Sequence, residues 1–212
     1  MRILAVADIH SRGEKLLLIR ETIRQYRPDA LVVAGDVSNF FYPRPVLSFL
    51  DGLGLPVLVI RGNTDRPVME KLIPRHAHLH SLHLREFLWN GIRLVGISGT
   101  IPLPFRSRIC IREKPLRSSL EALIRPGDIV VTHPPPFGTL DEVAGRWHAG
   151  SRLVRMLVDT RKPRLLLCGH IHESPGIIER NGSLIVNCSI GKSGSGALVE
   201  LNQEKIISAL LL

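Results

Sequence analysis

Short apolar segments recur along the chain, and segments with a helical pattern of apolar and polar residues separate most of them. One apolar segment, 165–168 (LLLC), has no polar residue alternating with the apolar ones, which predicts a strand buried on both faces. Comparable strands are predicted at 2–7, 30–35, 56–60, 92–98 and 128–133. Helices are predicted at 14–26, 45–53, 67–72, 115–124 and 151–159. Strands that alternate with helices are typical of βαβ units with parallel strands.

Two Asn-Gly pairs predict tight hairpins, because both residues tolerate the left-handed backbone of a type I′ turn. Asn90-Gly91 precedes the strand 92–98, and Asn181-Gly182 separates strands at 176–180 and 184–188. Two further short strands follow, so antiparallel pairs join a mostly parallel N-terminal part. We therefore expect an α/β fold in which two mixed sheets pack together with helices outside, as a single domain over residues 1–212.

Four histidines lie close together at positions 76, 78, 80 and 83, next to apolar residues. Their spacing of about two residues predicts the solvated face of a strand and no ligand site.

The chain has 212 residues, of which 44% are hydrophobic, so it is long enough to bury a sizeable core. No apolar run approaches the ~18 residues of a transmembrane helix, and Asp8 and His10 interrupt the first apolar segment, so neither a membrane span nor a signal peptide is expected. The three cysteines form no CxxC pair. A sparse, odd number of cysteines favours a reduced, cytoplasmic location.

The formal net charge is +9, which favours an anionic substrate. Aromatic residues make up only 5% of the chain and are not interleaved with the basic ones, so stacking platforms for single-stranded nucleic acid are not expected. A small phosphorylated substrate is therefore favoured over nucleic acid, which stays possible. The sequence predicts no oligomeric state.

Potential metal ligands follow five of the predicted strands, and three of these ligands come directly after a glycine. The five segments contain Asp8 and His10; Asp36; Asn63, Thr64 and Asp65; His133; and His170 and His172. Because parallel strands place their carboxyl ends along one edge of a sheet, residues far apart in sequence can converge there. Glycine before each ligand allows a sharp turn and a close approach of the backbone.

Mixed imidazole and carboxylate ligands suit transition metals better than Ca²⁺, which prefers oxygen alone. We expect manganese first, with iron, zinc, nickel or cobalt as alternatives. Seven side chains are too many for one tetrahedral ion and suit two divalent ions that share a carboxylate. Two such ions about 3.5–4 Å apart would lower the pKa of a shared water and hold the substrate oxygens for in-line attack by the resulting hydroxide. The centre would keep a net charge of about +1, which suits a phosphate.

The segments DIH, GD, GNTD, a histidine after a strand, and GHIH, in this order, resemble the five signature blocks of the calcineurin-like metallophosphoesterase superfamily. The resemblance extends from residue 3 to about residue 201, and the ending NCSIGKSGSGALVEL is similar to the small phosphodiesterase branch. It implies a two-sheet αββα sandwich. It also implies one metal site with Asp8, His10, Asp36 and His172. The second site would contain Asp36, Asn63, His133 and His170, with Asp36 bridging.

The third block departs from the family pattern, because Thr64 stands where relatives usually carry a histidine that contacts the phosphate and protonates the leaving group. Threonine can donate a hydrogen bond but cannot act as a proton donor near neutral pH. We therefore expect activity on diesters rather than monoesters. The candidate catalytic residues are Asp65 and Thr64, and the candidate substrate-binding residues are Asn63, Thr64 and Arg12. His148 is an alternative proton donor.

Two other functions stay open. A relative of the double-strand-break repair nucleases is favoured by the net charge and the basic segment 106–117, but the chain shows no second domain to hold a duplex. A non-catalytic scaffold, as in the retromer subunit of this fold, is disfavoured because all seven ligand positions are filled. Substrate specificity is expected in the loops 102–108 and 137–146.

Overall fold

The computed structural model describes residues 1–40, 43–103, 106–191 and 194–212. Its first sheet has six strands, four of them parallel: β1 (Arg2–Val6), β2 (Ala30–Ala34), β3 (Val57–Ile60) and β4 (Leu79–Ser81). Two antiparallel strands, β15 (Ala197–Leu201) and β16 (Ile206–Leu211), extend the sheet next to β1. The strand order is β16-β15-β1-β2-β3-β4.

The second sheet also has six strands. They are β5 (Glu86–Trp89), β6 (Ile92–Ile97), β9 (Ile129–Thr132), β12 (Leu165–Cys168), β13 (Gly176–Arg180) and β14 (Ser183–Asn187). Their order is β13-β14-β12-β9-β6-β5, with antiparallel hairpins at both edges and parallel pairs between. Two short ribbons, β7 (Ile101–Leu103) with β8 (Arg106–Arg108) and β10 (Glu142–Val143) with β11 (Trp147–His148), lie outside the sheets.

In the described part of the chain, five helices cover the outer faces of the two sheets. Helices α1 (Gly13–Tyr26), α2 (Pro43–Asp51) and α3 (Met69–Leu72) pack on the first sheet, and a short 3₁₀ helix (Ile73–Arg75) continues α3. Helices α4 (Glu113–Leu123) and α5 (Arg152–Arg161) pack on the second sheet. The layers therefore follow the order helix, sheet, sheet, helix, which confirms the expected αββα sandwich.

The central core lies between the two sheets, and it explains why the strands lack polar residues. In β12, Leu165 and Leu167 belong to this central core, whereas Leu166 packs outward against α4 and α5. In β3, Leu58 and Ile60 face the other sheet while Val57 and Val59 face the helices. Burial of each such side chain contributes about 1.5–3 kcal/mol.

Both Asn-Gly hairpins and all five helices are present, but some ends differ from the prediction. The helix predicted at 67–72 begins at Met69 and turns into the 3₁₀ helix at Ile73, because Pro74 has no N–H to continue α-helical hydrogen bonding. Of the four clustered histidines, His78 is exposed as predicted, but His83 is half-buried and only His80 lies within a strand. Among the described residues, no helix is long and apolar enough to cross a membrane.

Candidate metal centre

The predicted ligands meet where strands of both sheets end, at the carboxyl ends of those strands. Asp8, Asp36 and Asn63 follow strands of the first sheet, whereas His133 and the segment 170–172 follow strands of the second. Backbone hydrogen bonds tie the loops together, from His10 N–H to the Asp36 carbonyl (2.9 Å) and from Gly169 N–H to the His133 carbonyl (2.9 Å). The site is therefore shared between two sheets, whereas the sequence predicted a common edge without assigning the ligands to two sheets.

Four of the seven predicted ligands have a left-handed backbone, which is unusual for residues other than glycine. Their φ angles are +65° at Asp8, +53° at His10, +50° at Asp36 and +71° at His170. Such conformations cost on the order of 1–3 kcal/mol each and persist where the surrounding structure enforces them. The packing of the loops thus fixes the directions of these side chains.

One group of side chains that could hold a cation consists of Asp8, His10 and His172, whose ligand atoms all lie within 4.8 Å of one another. His172 Nε2 lies 3.3 Å from Asp8 Oδ1. Asp8 is fully buried, so its carboxylate has little water to solvate it. A buried carboxylate that faces two imidazoles suits a divalent transition metal.

A second group consists of Asp8, Asp36 and His133, again within 4.8 Å. Asp36 Oδ2 lies 3.7 Å from His10 Nε2 and 3.5 Å from His133 Nε2, so this oxygen lies near one imidazole of each group. Asp8 is a member of both groups. Asn63 Oδ1 lies 3.0 Å from His133 Nε2. His133 Nδ1 lies 2.9 Å from the Ala34 carbonyl, to which it can donate, and this leaves Nε2 as the nitrogen for a cation.

His170 lies beside these groups but belongs to neither of them. Its ring centroid is 4.9 Å from that of His133, and its backbone N–H donates a hydrogen bond to Asp8 Oδ2 over 3.1 Å. Its Nε2 lies 3.0 Å from the Ser107 hydroxyl oxygen. Only Nδ1 of His170 is therefore left for a cation. Ser107 was not predicted, because a single serine in the short strand β8 carries no sequence signal.

The pKa values of these groups reflect a buried, negatively charged centre. Burial alone would lower the pKa of His133, but the carboxylates of Asp36 and Asp8 outweigh it and raise this pKa to about 9. Burial would raise the pKa of Asp36, but His133, Thr64 N–H and His10 hold it below its usual range. Burial and the charge of His133 lower the pKa of His170 to about 4. The carboxylates stay ionised and attract positive charge, as a cation site requires.

Three glycines that precede predicted ligands are needed because other ligands pack against them. A Cβ on Gly62 would lie 2.1 Å from Asp36 Oδ1, and one on Gly169 would lie 2.9 Å from Asp8 Oδ2 and 2.2 Å from Ala7 Cβ. A Cβ on Gly35, whose φ is +93°, would lie 2.5 Å from His133 Nδ1. The close approach is thus between each glycine and a neighbouring loop.

Asp65, a predicted catalytic residue, is buried and joins the second and third loops. Its carboxylate accepts hydrogen bonds from the N–H groups of Val37 (3.0 Å), Ser38 (2.8 Å) and Gly62 (2.9 Å), and from the Ser38 hydroxyl (2.9 Å). These four hydrogen bonds show that Asp65 holds the two loops in position. Its catalytic role stays a prediction.

Two further residues, Thr64 and Arg12, were predicted to bind the substrate. The Thr64 hydroxyl donates to the Ser38 carbonyl over 2.6 Å, so its proton is not available to a phosphate while this bond lasts. The catalytic and substrate-binding roles of Thr64 stay predictions, and in the structure its hydroxyl is directed to Ser38. Arg12 is exposed at the start of α1. Lys15, which was not predicted, is buried, and its ammonium donates to the Asp8 carbonyl over 2.6 Å.

His148 is paired with a buried carboxylate. Its Nδ1 lies 2.7 Å from Asp141 Oδ1, and Asp141 also accepts the N–H groups of Gly138 and Gly150 over 2.9 Å each. The Gly150 carbonyl in turn accepts from Ser107 N–H over 3.3 Å, which links this pair to the loop that contacts His170.

A sequence profile of calcineurin-like phosphoesterases matches residues 1–174. An uncharacterised protein of Methanocaldococcus jannaschii is 26% identical over 201 residues, which cover 89% of this chain and 88% of that protein. The human metallophosphoesterase domain-containing protein 1 is 28% identical over 222 aligned positions, covering 89% of this chain and 66% of that protein. The crystal structure of TT1561 of Thermus thermophilus superposes with a TM-score of 0.71 at 20% identity, over 99% of this chain and 98% of that one. The chain belongs to the calcineurin-like phosphoesterase family, whose members hydrolyse phosphate esters with divalent metal ions.

Proposed function

We propose that this protein is a phosphodiesterase that holds two divalent metal ions. The position of Asp36 carries the proposal, because its Oδ2 lies within 3.7 Å of both His10 Nε2 and His133 Nε2. These two imidazoles belong to different ligand groups, which supports a shared role of this carboxylate oxygen for two ions.

Each ion would be held by four side chains. Asp8, His10, Asp36 and His172 would hold the first ion. Asp36, Asn63, His133 and His170 would hold the second. Imidazole, carboxylate and amide donors without a thiolate suit manganese, our first choice, and also iron, zinc, nickel or cobalt. When bound, the ions supply a water of lowered pKa as nucleophile and positive charge for the phosphate oxygens.

The protein's own residues orient the ligands and hold their protons. The Ala34 carbonyl fixes the ring of His133, and the Ser107 hydroxyl fixes that of His170. Such outer contacts are typical of metal-binding histidines and keep the rings oriented. The ammonium of Lys15 binds the carbonyl of Asp8 and holds the first loop in place. A net charge of +9 attracts an anionic ester to the site.

The proposed preference for diesters rests on Thr64. A general acid contributes typically 10²–10⁴-fold, and an alkoxide leaving group needs it most. Thr64 cannot supply that proton, and its hydroxyl is bonded to the Ser38 carbonyl. His148, oriented by Asp141, is the alternative donor.

We expect bis(4-nitrophenyl) phosphate to be hydrolysed about tenfold or more faster than 4-nitrophenyl phosphate, compared as kcat/KM with the manganese-loaded protein. Both substrates release the same nitrophenolate, so the leaving group is constant. A monoester preference of tenfold or more would contradict the proposed preference for diesters. Metal-free protein is the control, and equal rates with and without metal would contradict a metal-dependent reaction.

Replacing Thr64 by histidine should restore a proton donor and raise the rate on alkyl esters, by about 10²-fold if the donor is effective. Aryl esters should change little, since their leaving groups depart without protonation. Thr64→Val is the matched control, because it keeps the β-branched shape and replaces the hydroxyl by a methyl group. If Thr64→His keeps both metal ions by elemental analysis and gains nothing on alkyl esters, position 64 is not the proton-donor position.

A further inference from the structure

A cavity of about 860 Å³ opens directly beside the candidate metal centre. Gly62, Asn63 and Asp65 of the third loop form one side of it, and Asn63 is a proposed ligand of the second ion. A phosphate bound at the centre therefore has one of its substituents next to this cavity. Its volume is in the range of sites for small organic ligands.

Five apolar side chains form the apolar wall of the cavity, although a charged centre lies beside it: Leu84, Ile101, Ile109, Ile111 and Leu116. His83, Ser98, Thr100 and Arg112 also line the cavity. Ile109 is buried, but Ile111 is 79% exposed at the rim. An exposed isoleucine beside an apolar wall offers surface that a ligand can remove from water. In the sequence, the predicted specificity loop 102–108 comes between Ile101 and Ile109 of this wall. Its positions 104–105 lie outside the described residues.

The polar groups around the cavity favour an anion at its inner end. Arg61 lines it, and its Nε donates to Glu70 Oε1 over 3.0 Å, which fixes the guanidinium. Glu70 is held in turn by the hydroxyls of Ser98 and Ser81. Asp65 is the one acidic side chain among the described lining residues, and its carboxylate already accepts four hydrogen bonds. Arg61 therefore places a positive charge in the lining of the cavity that Asn63 also lines.

We propose that this cavity binds the second ester group of the substrate, the one that stays on the phosphate, and that this group is apolar and about the size of an aromatic ring. The inference rests on the proposed phosphodiesterase function, since a monoester has no second group. Apolar walls favour an uncharged hydrocarbon over a polar base, because a base would leave its hydrogen-bonding groups unpaired against isoleucine and leucine.

The test uses diesters with one leaving group and different second groups. Phenyl 4-nitrophenyl phosphate should be hydrolysed about 30-fold faster than methyl 4-nitrophenyl phosphate, compared as kcat/KM. Similar rates for the two would overturn the inference while leaving the diesterase function intact. A higher rate on thymidine 5′-(4-nitrophenyl phosphate) than on the phenyl ester would overturn the apolar assignment. Failure to hydrolyse any of the three would count against the proposed function itself.

An isoleucine at the rim allows a variant that should fold normally. Ile111→Asp should remove most of the preference for the phenyl ester and leave the methyl ester within about twofold, because it places a charge on the apolar wall. Ile207→Asp is the matched control, since Ile207 is 59% exposed on β16 and does not line the cavity. Equal effects of the two variants would contradict a specific role of the wall.

Cys110 gives a second measurement that does not depend on turnover. It lines the cavity and is half-buried, whereas Cys168 and Cys188 are fully buried and burial raises the pKa of both thiols. A thiol reagent should therefore label Cys110 first. Phenylphosphonate should slow this labelling about tenfold in the metal-loaded protein, and methylphosphonate should not. Equal labelling rates with both phosphonates would overturn the inference even if no substrate is turned over.

Discussion

Replacing Asp36 by asparagine will reduce the bound metal from the proposed two equivalents to one or fewer and lower the hydrolysis of bis(4-nitrophenyl) phosphate about 10³-fold. Asp36 is 2% exposed and stands between His10 and His133, so its negative charge serves both proposed ions. Loss of the charge stabilisation by one ion costs several kcal/mol in the transition state, and each 1.36 kcal/mol is a factor of ten in rate. Elemental analysis and the diester assay on the same sample measure both effects.

The asparagine variant should keep its fold, because its amide oxygen can still accept the Thr64 N–H that Asp36 Oδ1 accepts at 2.9 Å. Asp51→Asn is the matched control, since Asp51 lies at the end of α2 and, among the described residues, its carboxylate is hydrogen-bonded to His76 and His78. Two full equivalents of metal in Asp36→Asn would show that Asp36 does not bridge.

Replacing Gly62 by alanine will have the second large effect, although it changes no ligand. The added Cβ would lie 2.1 Å from Asp36 Oδ1 and 2.4 Å from Asp36 N, and real Cβ atoms do not approach so closely. Because the φ of Gly62 is not in the left-handed region, the cost is purely steric. We expect a loss of about 1–3 kcal/mol in the free energy of unfolding and about 10²-fold in diester hydrolysis, as Asp36 is pushed from its position.

Gly13→Ala is the control for this substitution. Nothing lies within 4 Å of a Cβ at Gly13, which begins α1 with no positive φ. Alanine should leave both activity and metal content unchanged there and leave stability equal or slightly higher. Thermal unfolding, metal analysis and the diester assay separate the two variants. Full activity of Gly62→Ala would mean that the loop relaxes without moving Asp36.

The strands could be predicted because each buried face of a strand requires apolar residues at its positions in the sequence. Leu165 and Leu167 face one core and Leu166 another, so a run without polar residues follows from burial on both sides. The Asn-Gly turns were predictable for a local reason, the positive φ of both residues. The start of α3 was less accurate, since the helix begins at Met69 and not at position 67, and periodicity did not show the 3₁₀ helix that follows at Ile73.

The types of the candidate ligands were also visible in the sequence, since a carboxylate or imidazole directly after an apolar strand is unusual. Their common location was inferred from parallel strands within one sheet. In the structure Asp36 and His133 come from different sheets, and only the packing of one sheet on the other brings His133 Nε2 within 3.5 Å of Asp36 Oδ2.

The partners of the ligands were decided by tertiary structure alone. Lys15 belongs to a helix whose pattern is ordinary, yet the fold buries its ammonium against the Asp8 carbonyl. The Ser107 hydroxyl contacts His170 Nε2, although the two residues are 63 positions apart in the chain. The Thr64 hydroxyl donates to the Ser38 carbonyl, which is 26 positions away.

The sequence by itself therefore determined the strands, the hairpins and the chemical types at the strand ends, because each depends on side-chain alternation or on the backbone preference of one or two residues. Tertiary structure alone decided which oxygens and nitrogens meet, how Thr64 is bonded, and that an apolar cavity adjoins Asn63. Those features depend on how two sheets and their loops pack, and contacts between residues far apart in the chain leave no local pattern that one sequence can show.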